Sequence, residues 1–339
     1  MIKNRLKILI IAVGSLLILD IFAGIYLFFD ISSFIKEPFR PDAPEKTITI
    51  LPGQNLKIIA DHLEAEDIIS SGIYFALYAQ FKKSGKNIQA GEYLLSASKS
   101  PEEILDMFIK GKVKLYRITI PEGFNVKEIS ALIKKENLCD QEKFMTLCHT
   151  PALIKKLGIQ AGSLEGYLFP DTYFFSKQNT CEDIISAMAG RFKSVFTEEW
   201  QVRAKELGFS VHEILTLASI IEKETGNAAE RPLISSVFHN RLKKNMRLES
   251  DPTVIYDIEG FDGNIKKIHL QTVTAYNTYQ ITGLPPGPIA NPGALSLYAA
   301  LYPAQTPYLF FVSKKDTTHH FSESFEEHNK AVKKYQLKK

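Results

Sequence analysis

The chain has 339 residues, of which 45% are hydrophobic and 23% charged, and its formal net charge at pH 7 is +3. This composition excludes an intrinsically disordered protein and suffices for one or two packed domains behind an anchor. The basic clusters are short and interrupted, so nucleic acid is not an expected partner.

The first predicted element is an apolar segment, residues 8–29, which is long enough to cross a bilayer and is interrupted only by small residues and Asp20. Three basic residues precede it: Lys3, Arg5 and Lys7. Because basic residues stay on the cytoplasmic side, we expect residues 1–30 to form a cytoplasmic tip and a single-pass anchor, with the rest of the chain outside the cytoplasm. A cleaved signal peptide is the alternative, but no A-x-A site ends the segment.

A linker and a small module follow the anchor. Residues 31–45 carry three prolines and mixed charges, which is typical of an extended linker. Next come an alternating strand, a turn at Gly53 and a helix with Asn55 at its N-cap, then a second helix, a strand, and a third helix capped by Ser100. We therefore predict a small α+β module over residues 46–116.

The strand, turn and helix at the start of this module recur later in the chain. Seven positions within residues 48–59 match residues 118–129 in type, all at the same offset of 70 (118 minus 48). Short matches arise by chance, but a constant offset across seven positions favours an internal duplication.

Residues 117–339 are predicted to form a larger α+β domain that is richer in polar motifs. The stretch "SLEGYLFPDTYFF" places Glu165 and Asp171 among aromatic residues. Residues 276–292 are rich in Tyr, Asn, Thr, Pro and Gly, a composition typical of a binding loop whose aromatic faces and amides suit sugar rings.

The three cysteines, Cys139, Cys148 and Cys181, show no metal-ligand spacing, and an odd number cannot all pair within one chain. We expect mostly buried thiols, with a Cys139–Cys148 disulfide as the alternative.

The stretch "LASIIEKETG" ends an apolar helical run in two glutamates. On a helical wheel, Glu222 falls inside the broad apolar face, Lys223 points the opposite way, and Glu224 emerges at the margin of that face. One interpretation of Glu222 is a partly buried acid held by an arginine. The other is a proton donor whose pKa is raised by an apolar setting.

Familiar catalytic motifs are missing from the sequence. It contains no G-x-S-x-G, Walker-type loop, dinucleotide fingerprint or H-E-x-x-H. Three histidines, His319, His320 and His328, could serve as ligands, but adjacent residues on a strand point to opposite faces. We therefore expect neither a metal nor a cofactor.

Five further stretches carry a resemblance: "SVFHNRL", "MRLESDPTVIY", "TAYNTYQITGLPPGPIANPG", "TPYLFFV" and "LEGYLFPDTY". Together with "LASIIEKET" they resemble the endolytic murein transglycosylase (YceG-like) family over nearly the whole chain. The resemblance implies an N-terminal transmembrane helix, a LysM-like α+β module at residues 46–116 and an α+β catalytic domain at residues 117–339. It also implies that the first glutamate of the E-K-E-T motif, Glu222, is the catalytic acid.

The resemblance implies further site residues and a reaction. Glu165 and Glu224 are the candidates for orienting the substrate, and Asn277 and Tyr279 the candidates for sugar contacts. The expected enzyme is a lyase that cleaves nascent peptidoglycan strands between MurNAc and GlcNAc, leaves 1,6-anhydroMurNAc ends and terminates strand elongation. Its expected location is the cell (inner) membrane, with the catalytic domain periplasmic and a peptidoglycan synthase as candidate partner.

Two alternatives remain open at this point. A muramidase would hydrolyse the bond with two carboxylates, Glu222 together with Glu165 or Asp171. A peptidoglycan-binding scaffold would use the LysM-like module alone, and Glu222 would then be structural.

Overall fold

The computed structural model describes residues 2–337, with the side chains of Gly14, Ser15 and residues 17–337. It divides into two compact units. The first comprises Met1–Tyr116 and Ser176–Gln178, and the second comprises Arg117–Phe175 and Asn179–Lys339.

The chain begins with one long helix, α1 (Ile2–Lys36). Its part Leu17–Lys36 is long and apolar enough to cross a membrane, and large side chains such as Phe22 and Tyr26 are exposed on it. The predicted span, residues 8–29, lies within α1. The side chains of residues 8–13, and those of the basic residues before them, fall outside the described residues.

The predicted linker, residues 31–45, is wrong in its first part because α1 continues to Lys36. No proline interrupts the chain before Pro38, and the side chains of Phe34 and Ile35 pack against the core of the first unit. Burial of these apolar side chains stabilises the extra helical turns.

The first unit contains two strands and three helices after α1. They are β1 (Lys46–Ile50), α2 (Leu56–Ala65), α3 (Gly72–Phe81), β2 (Gly91–Leu95) and α4 (Pro101–Ile109). Strands β1 and β2 pair antiparallel with Ile48 opposite Tyr93, and both side chains are buried. The predicted N-caps are confirmed, since Asn55 accepts from the amide of Ile58 and Ser100 forms a capping box with Glu103.

The second unit begins, like the first unit after α1, with a strand followed by two helices. Its first elements are β3 (Tyr116–Thr119), α5 (Val126–Lys135), α6 (Gln141–Cys148), α7 (Pro151–Lys156), β4 (Thr172–Phe175) and α8 (Cys181–Val195), and β3 pairs with β4. Helices α2 and α5 have ten residues each and start 70 positions apart (126 minus 56). Gly53 and Gly123 precede them with φ of 80° and 77°, the left-handed region that glycine tolerates. The duplication predicted from the sequence is therefore present in the fold.

The rest of the second unit surrounds one central helix, α10. The remaining elements are α9 (Glu198–Glu206), α10 (Val211–Glu224), a 3₁₀ turn (Ala228–Glu230), α11 (Arg231–Lys243), α12 (Asp251–Tyr256), α13 (Lys267–Gln271), α14 (Ala294–Leu301), β5 (Phe310–Ser313), β6 (His319–Ser322), α15 (Phe325–Val332) and a π turn (Lys333–Leu337). A capping box between Ser210 and Glu213 starts α10. Every residue from Ile214 to Ile221 is buried, as expected for a helix packed on all sides.

The pairing of the cysteines differs from the prediction. Cys139, just before α6, forms a disulfide with Cys181, the first residue of α8, across a Cα–Cα distance of 5.5 Å. Cys148 is a buried free thiol whose pKa is raised by burial. The Cys139–Cys148 pairing is wrong because Cys148 faces the core from the last turn of α6, whereas packing of α6 on α8 brings Cys181 to Cys139.

The disulfide closes a loop with a sequence separation of 42 residues. A loop of this length predicts that replacing both Cys139 and Cys181 by serine lowers the free energy of unfolding by about 4 kcal/mol. Chemical denaturation of the purified protein measures this loss. Cys148→Ala is the matched control and should cost about 1 kcal/mol. Equal stability of the double variant and the wild type would contradict the prediction.

Candidate active site

The C-terminal turn of α10 carries Glu222 and Glu224 on different faces of the helix. Two positions correspond to about 200° of rotation, so the two carboxylates meet different parts of the second unit. Their surroundings decide which of them can act as an acid.

Glu222 lies in a buried ion pair. Arg231 donates from Nη2 to Oε1 of Glu222 at 2.8 Å, and the backbone N–H of Gly293 donates to Oε2 at 2.9 Å. The side chains of Glu222 and Arg231 are 6% and 7% exposed.

The contacts of Glu222 are those of the first interpretation, a buried acid held by an arginine, and its role as the catalytic acid stays a prediction. The helical wheel shows only α10 itself. Arg231 opens the following helix and Gly293 precedes α14, so neither partner could be read from the wheel.

Glu224 has a different environment. Burial raises its pKa to about 7, and the charge of Asp251 acts in the same direction. A hydrogen bond donated by Ser250 Oγ to Glu224 Oε1 and the charge of Arg241 oppose this rise without cancelling it. A carboxyl group whose pKa is raised toward neutrality suits a residue that must both give and take a proton.

Glu224 also lines a cavity of about 360 Å³. The other lining residues are Arg241, Leu248, Glu249, Asp251, Tyr279, Phe311 and His328. The hydroxyl of Tyr279 donates to Oδ1 of Asp251 at 2.7 Å, and Arg241 pairs with Glu249 at 3.0 Å. The cavity thus combines three carboxylates with aromatic faces.

Of the two residues predicted to contact sugar, Tyr279 lines this cavity but Asn277 does not reach it. Asn277 is 1% exposed, and its amide nitrogen donates to the backbone carbonyls of Thr272, His269 and Leu270 at 2.6, 3.0 and 3.3 Å. Both amide hydrogens are therefore engaged within the loop. This geometry does not support the prediction that Asn277 contacts substrate. Its side chain instead stabilises the conformation of the loop.

Glu165, which was predicted to orient substrate, is buried and joins three segments of the second unit by hydrogen bonds. It accepts hydrogen bonds from the N–H of Val126 at 3.1 Å, from Asn291 Nδ2 at 3.1 Å and from the Tyr256 hydroxyl at 3.2 Å. Burial raises its pKa to about 7. It is not among the described residues that line the cavity, so we assign it a structural role at the start of α5.

Asp171, the other acid considered for a two-carboxylate mechanism, pairs with Arg191 at 2.7 Å. Burial opposes ionisation of Asp171, but the N–H of Thr172 and the guanidinium of Arg191 together hold its pKa below the usual range. It is likewise not among the described lining residues of the cavity.

Sequence reasoning missed Arg231, Ser250 and Asp251. The signal for the last two was present, because "MRLESDPTVIY" is one of the stretches that carry the family resemblance. Arg231 offered no such signal, since an arginine at a helix start is usually exposed.

Comparison with known proteins gives consistent matches. The model of the YceG-like family matches residues 48–334. The chain is 36% identical over 318 residues to a protein of Bacillus subtilis (strain 168) named endolytic murein transglycosylase, and the match covers 89% of this chain and 88% of that protein. A protein of the same name from Streptococcus pneumoniae serotype 2 is 30% identical over 321 residues, which cover 84% of this chain and 57% of that protein.

A solved structure is also similar. The crystal structure of a putative yceG-like protein from Listeria monocytogenes matches with a TM-score of 0.59 and 32% sequence identity. The match covers 84% of this chain and 98% of that chain.

The raised pKa of Glu165 predicts how stability depends on pH. A folded-state pKa of about 7, above the ordinary value of 4.5, means that the folded state binds the proton more tightly. The resulting stabilisation is complete below pH 4.5 and is lost as the pH rises through 7. In Glu165→Gln the fall of the melting temperature between pH 5 and pH 8 should be smaller than in the wild type.

Thermal denaturation across this pH range tests the prediction, with the exposed Glu182→Gln as control. Because Glu224 has a similar pKa, part of the fall should remain in Glu165→Gln. An unchanged pH dependence in Glu165→Gln would show that Glu165 is ionised in the folded protein at low pH.

Proposed function

Because the chain belongs to the YceG-like family, we propose that it is an endolytic murein transglycosylase, a lyase that cuts peptidoglycan glycan strands between MurNAc and GlcNAc. The cut leaves a 1,6-anhydroMurNAc end. Cleavage of nascent strands in this way would terminate their elongation. Two relatives that carry this name support the assignment.

We propose Glu224 as the catalytic acid, with Glu222, which the family resemblance implies for this role, as the alternative. The observation that carries this proposal is the place of Glu224 in the wall of the cavity, where burial raises its pKa to about 7. Glu222, by contrast, is paired with Arg231. Glu165 shares the raised pKa but is tied to backbone and side-chain donors elsewhere.

The proposed reaction uses Glu224 twice. The protonated carboxyl group gives its proton to the glycosidic oxygen as the bond from that oxygen to C1 of the muramoyl unit breaks. The resulting carboxylate then takes the proton of the C6 hydroxyl of the same unit while O6 bonds to C1. The carboxyl group is regenerated, water is not consumed, and no other group need change its charge.

The neighbouring residues support this cycle. Asp251 adds negative charge beside Glu224 and so favours the protonated form from which the reaction starts. The ring of Tyr279, fixed by its hydrogen bond to Asp251, provides a flat face for a sugar. Glu222 and Arg231 position the end of α10 and so act through Glu224.

A two-carboxylate muramidase remains the second candidate function, but with a different pair of acids from the one predicted from the sequence. Asp251 lines the same cavity as Glu224, so these two acids, rather than Glu222 with Glu165 or Asp171, form the pair that could activate water. The presence of a second carboxylate, Asp251, in the cavity lined by Glu224 is the observation that favours this candidate.

The domain assignment and location are also proposals. We propose that residues 1–30 form a cytoplasmic tip and anchor, that residues 46–116 form a LysM-like module and that residues 117–339 form the catalytic domain outside the cytoplasm. The β-α-α-β order of the first unit supports the LysM-like module. The disulfide supports an extracytoplasmic location, since disulfides persist in oxidising compartments. The synthase partner rests on the family resemblance alone.

Two matched variants test the assignment of the acid. Glu224→Gln keeps the volume of the side chain but cannot cycle a proton, so glycan cleavage should fall by about 10³-fold with little change in melting temperature. Glu222→Gln removes one partner of a buried ion pair and should destabilise the fold by about 3 kcal/mol, while the folded protein retains activity within about tenfold of wild type.

The turnover rate on purified glycan strands and the melting temperature are measured for each of the two variants. The reverse pattern, with an inactive, stable Glu222→Gln and an active Glu224→Gln, would return the acid to Glu222.

A further inference from the structure

Helix α3 exposes an unusual amount of apolar surface. Its ten residues, "GIYFALYAQF", include no charged side chain. Phe75 and Ala79 on one face are buried in the core of the first unit. On the opposite face, Ile73, Leu77 and Phe81 are 69%, 50% and 85% exposed at a spacing of four residues. We call these three residues the apolar stripe; a continuous exposed face of this kind marks a binding surface.

The apolar stripe starts beside the end of the membrane anchor. The hydroxyl of Tyr74 donates to Oδ2 of Asp30 at 2.9 Å, and the ring of Tyr74 meets that of Phe34 edge to face at 5.5 Å. Asp30 directly follows the span predicted from the sequence, residues 8–29. The first turn of α3 therefore contacts, through the side chain of Tyr74, the residue at which the predicted span would leave the bilayer.

The charge next to the apolar stripe suits a lipid surface. Lys82, Lys83 and Lys86 lie within five residues of the end of α3, and all three are exposed, with Lys82 also 3.7 Å from Oε1 of Glu102. A short helix with Leu, Ile and Phe on one face and lysines beside it is typical of a segment that lies in the interface of a bilayer. Lysines near such a surface attract anionic headgroups.

We propose that α3 is an interfacial helix whose apolar stripe inserts into the outer surface of the membrane that α1 spans, with Lys82, Lys83 and Lys86 against anionic phospholipid headgroups. This inference rests on the proposed anchor at residues 8–29. It gives the first unit a fixed orientation on the membrane, because two contacts, α1 and α3, restrict its rotation where a single tether would not.

The test uses the full-length protein in vesicles of phosphatidylglycerol and phosphatidylcholine, with and without lipids brominated on their acyl chains. Phe81→Trp places an indole in the apolar stripe. The signal of Trp200 is subtracted with the wild-type protein. Val273→Trp, at a position that is 77% exposed in the second unit, is the control for a solvent-facing indole. Ile25→Trp, within the predicted span, reports on the anchor itself.

We expect the indole of Phe81→Trp to emit at shorter wavelength than that of Val273→Trp and to lose about half of its intensity to brominated lipid, as a residue at interface depth should. The loss should be smaller in vesicles of phosphatidylcholine alone, since the lysines then lack anionic partners.

Two results would overturn the inference while leaving the anchor intact. In both, the indole of Ile25→Trp is quenched but that of Phe81→Trp is not. Emission of Phe81→Trp at long wavelength would mean that the apolar stripe faces water, and emission at short wavelength would mean that protein covers it. Loss of quenching in Ile25→Trp as well would refute the anchor on which the inference rests.

Discussion

The ion pair between Glu222 and Arg231 fixes the geometry on which the proposed site depends. It joins the last turn of α10 to the first residue of α11, and the N–H of Gly293 ties the same carboxylate to the segment before α14. Lys223 adds a contact to the carbonyl of Gly123 at 3.3 Å. A helix end would otherwise fray, because its last carbonyls lack partners within the helix. With the end of α10 held in place, Glu224 has a defined position in the cavity wall.

Two glutamates two positions apart thus have different surroundings. A guanidinium and a backbone N–H contact the carboxylate of Glu222. Burial and the charge of Asp251 raise the pKa of Glu224. In this protein Glu222 supports the end of the helix and Glu224 faces the cavity.

The sequence predicted those features that depend on neighbours along the chain. Capping by Asn55 and Ser100 and the duplicated strand, turn and helix follow from short patterns, and the structure contains them. The sequence left two settings open for Glu222, since Arg231 and Gly293 approach it only through the packing of α11 and α14. The Cys139–Cys181 disulfide likewise depends on the packing of α6 against α8. The prediction for Asn277 was wrong in this geometry because a sequence cannot distinguish an amide that faces a ligand from one that holds its own loop.

The product of the reaction tests the central claim most directly. Uncrosslinked glycan strands are digested by the purified protein in water enriched in heavy oxygen, and the new ends are identified by mass spectrometry. If Glu224 acts alone and O6 attacks C1, the fragments end in 1,6-anhydromuramic acid and carry no oxygen from the solvent. Reducing muramic acid labelled at C1 would contradict this account and would assign the chemistry to a hydrolase that uses Glu224 and Asp251 together.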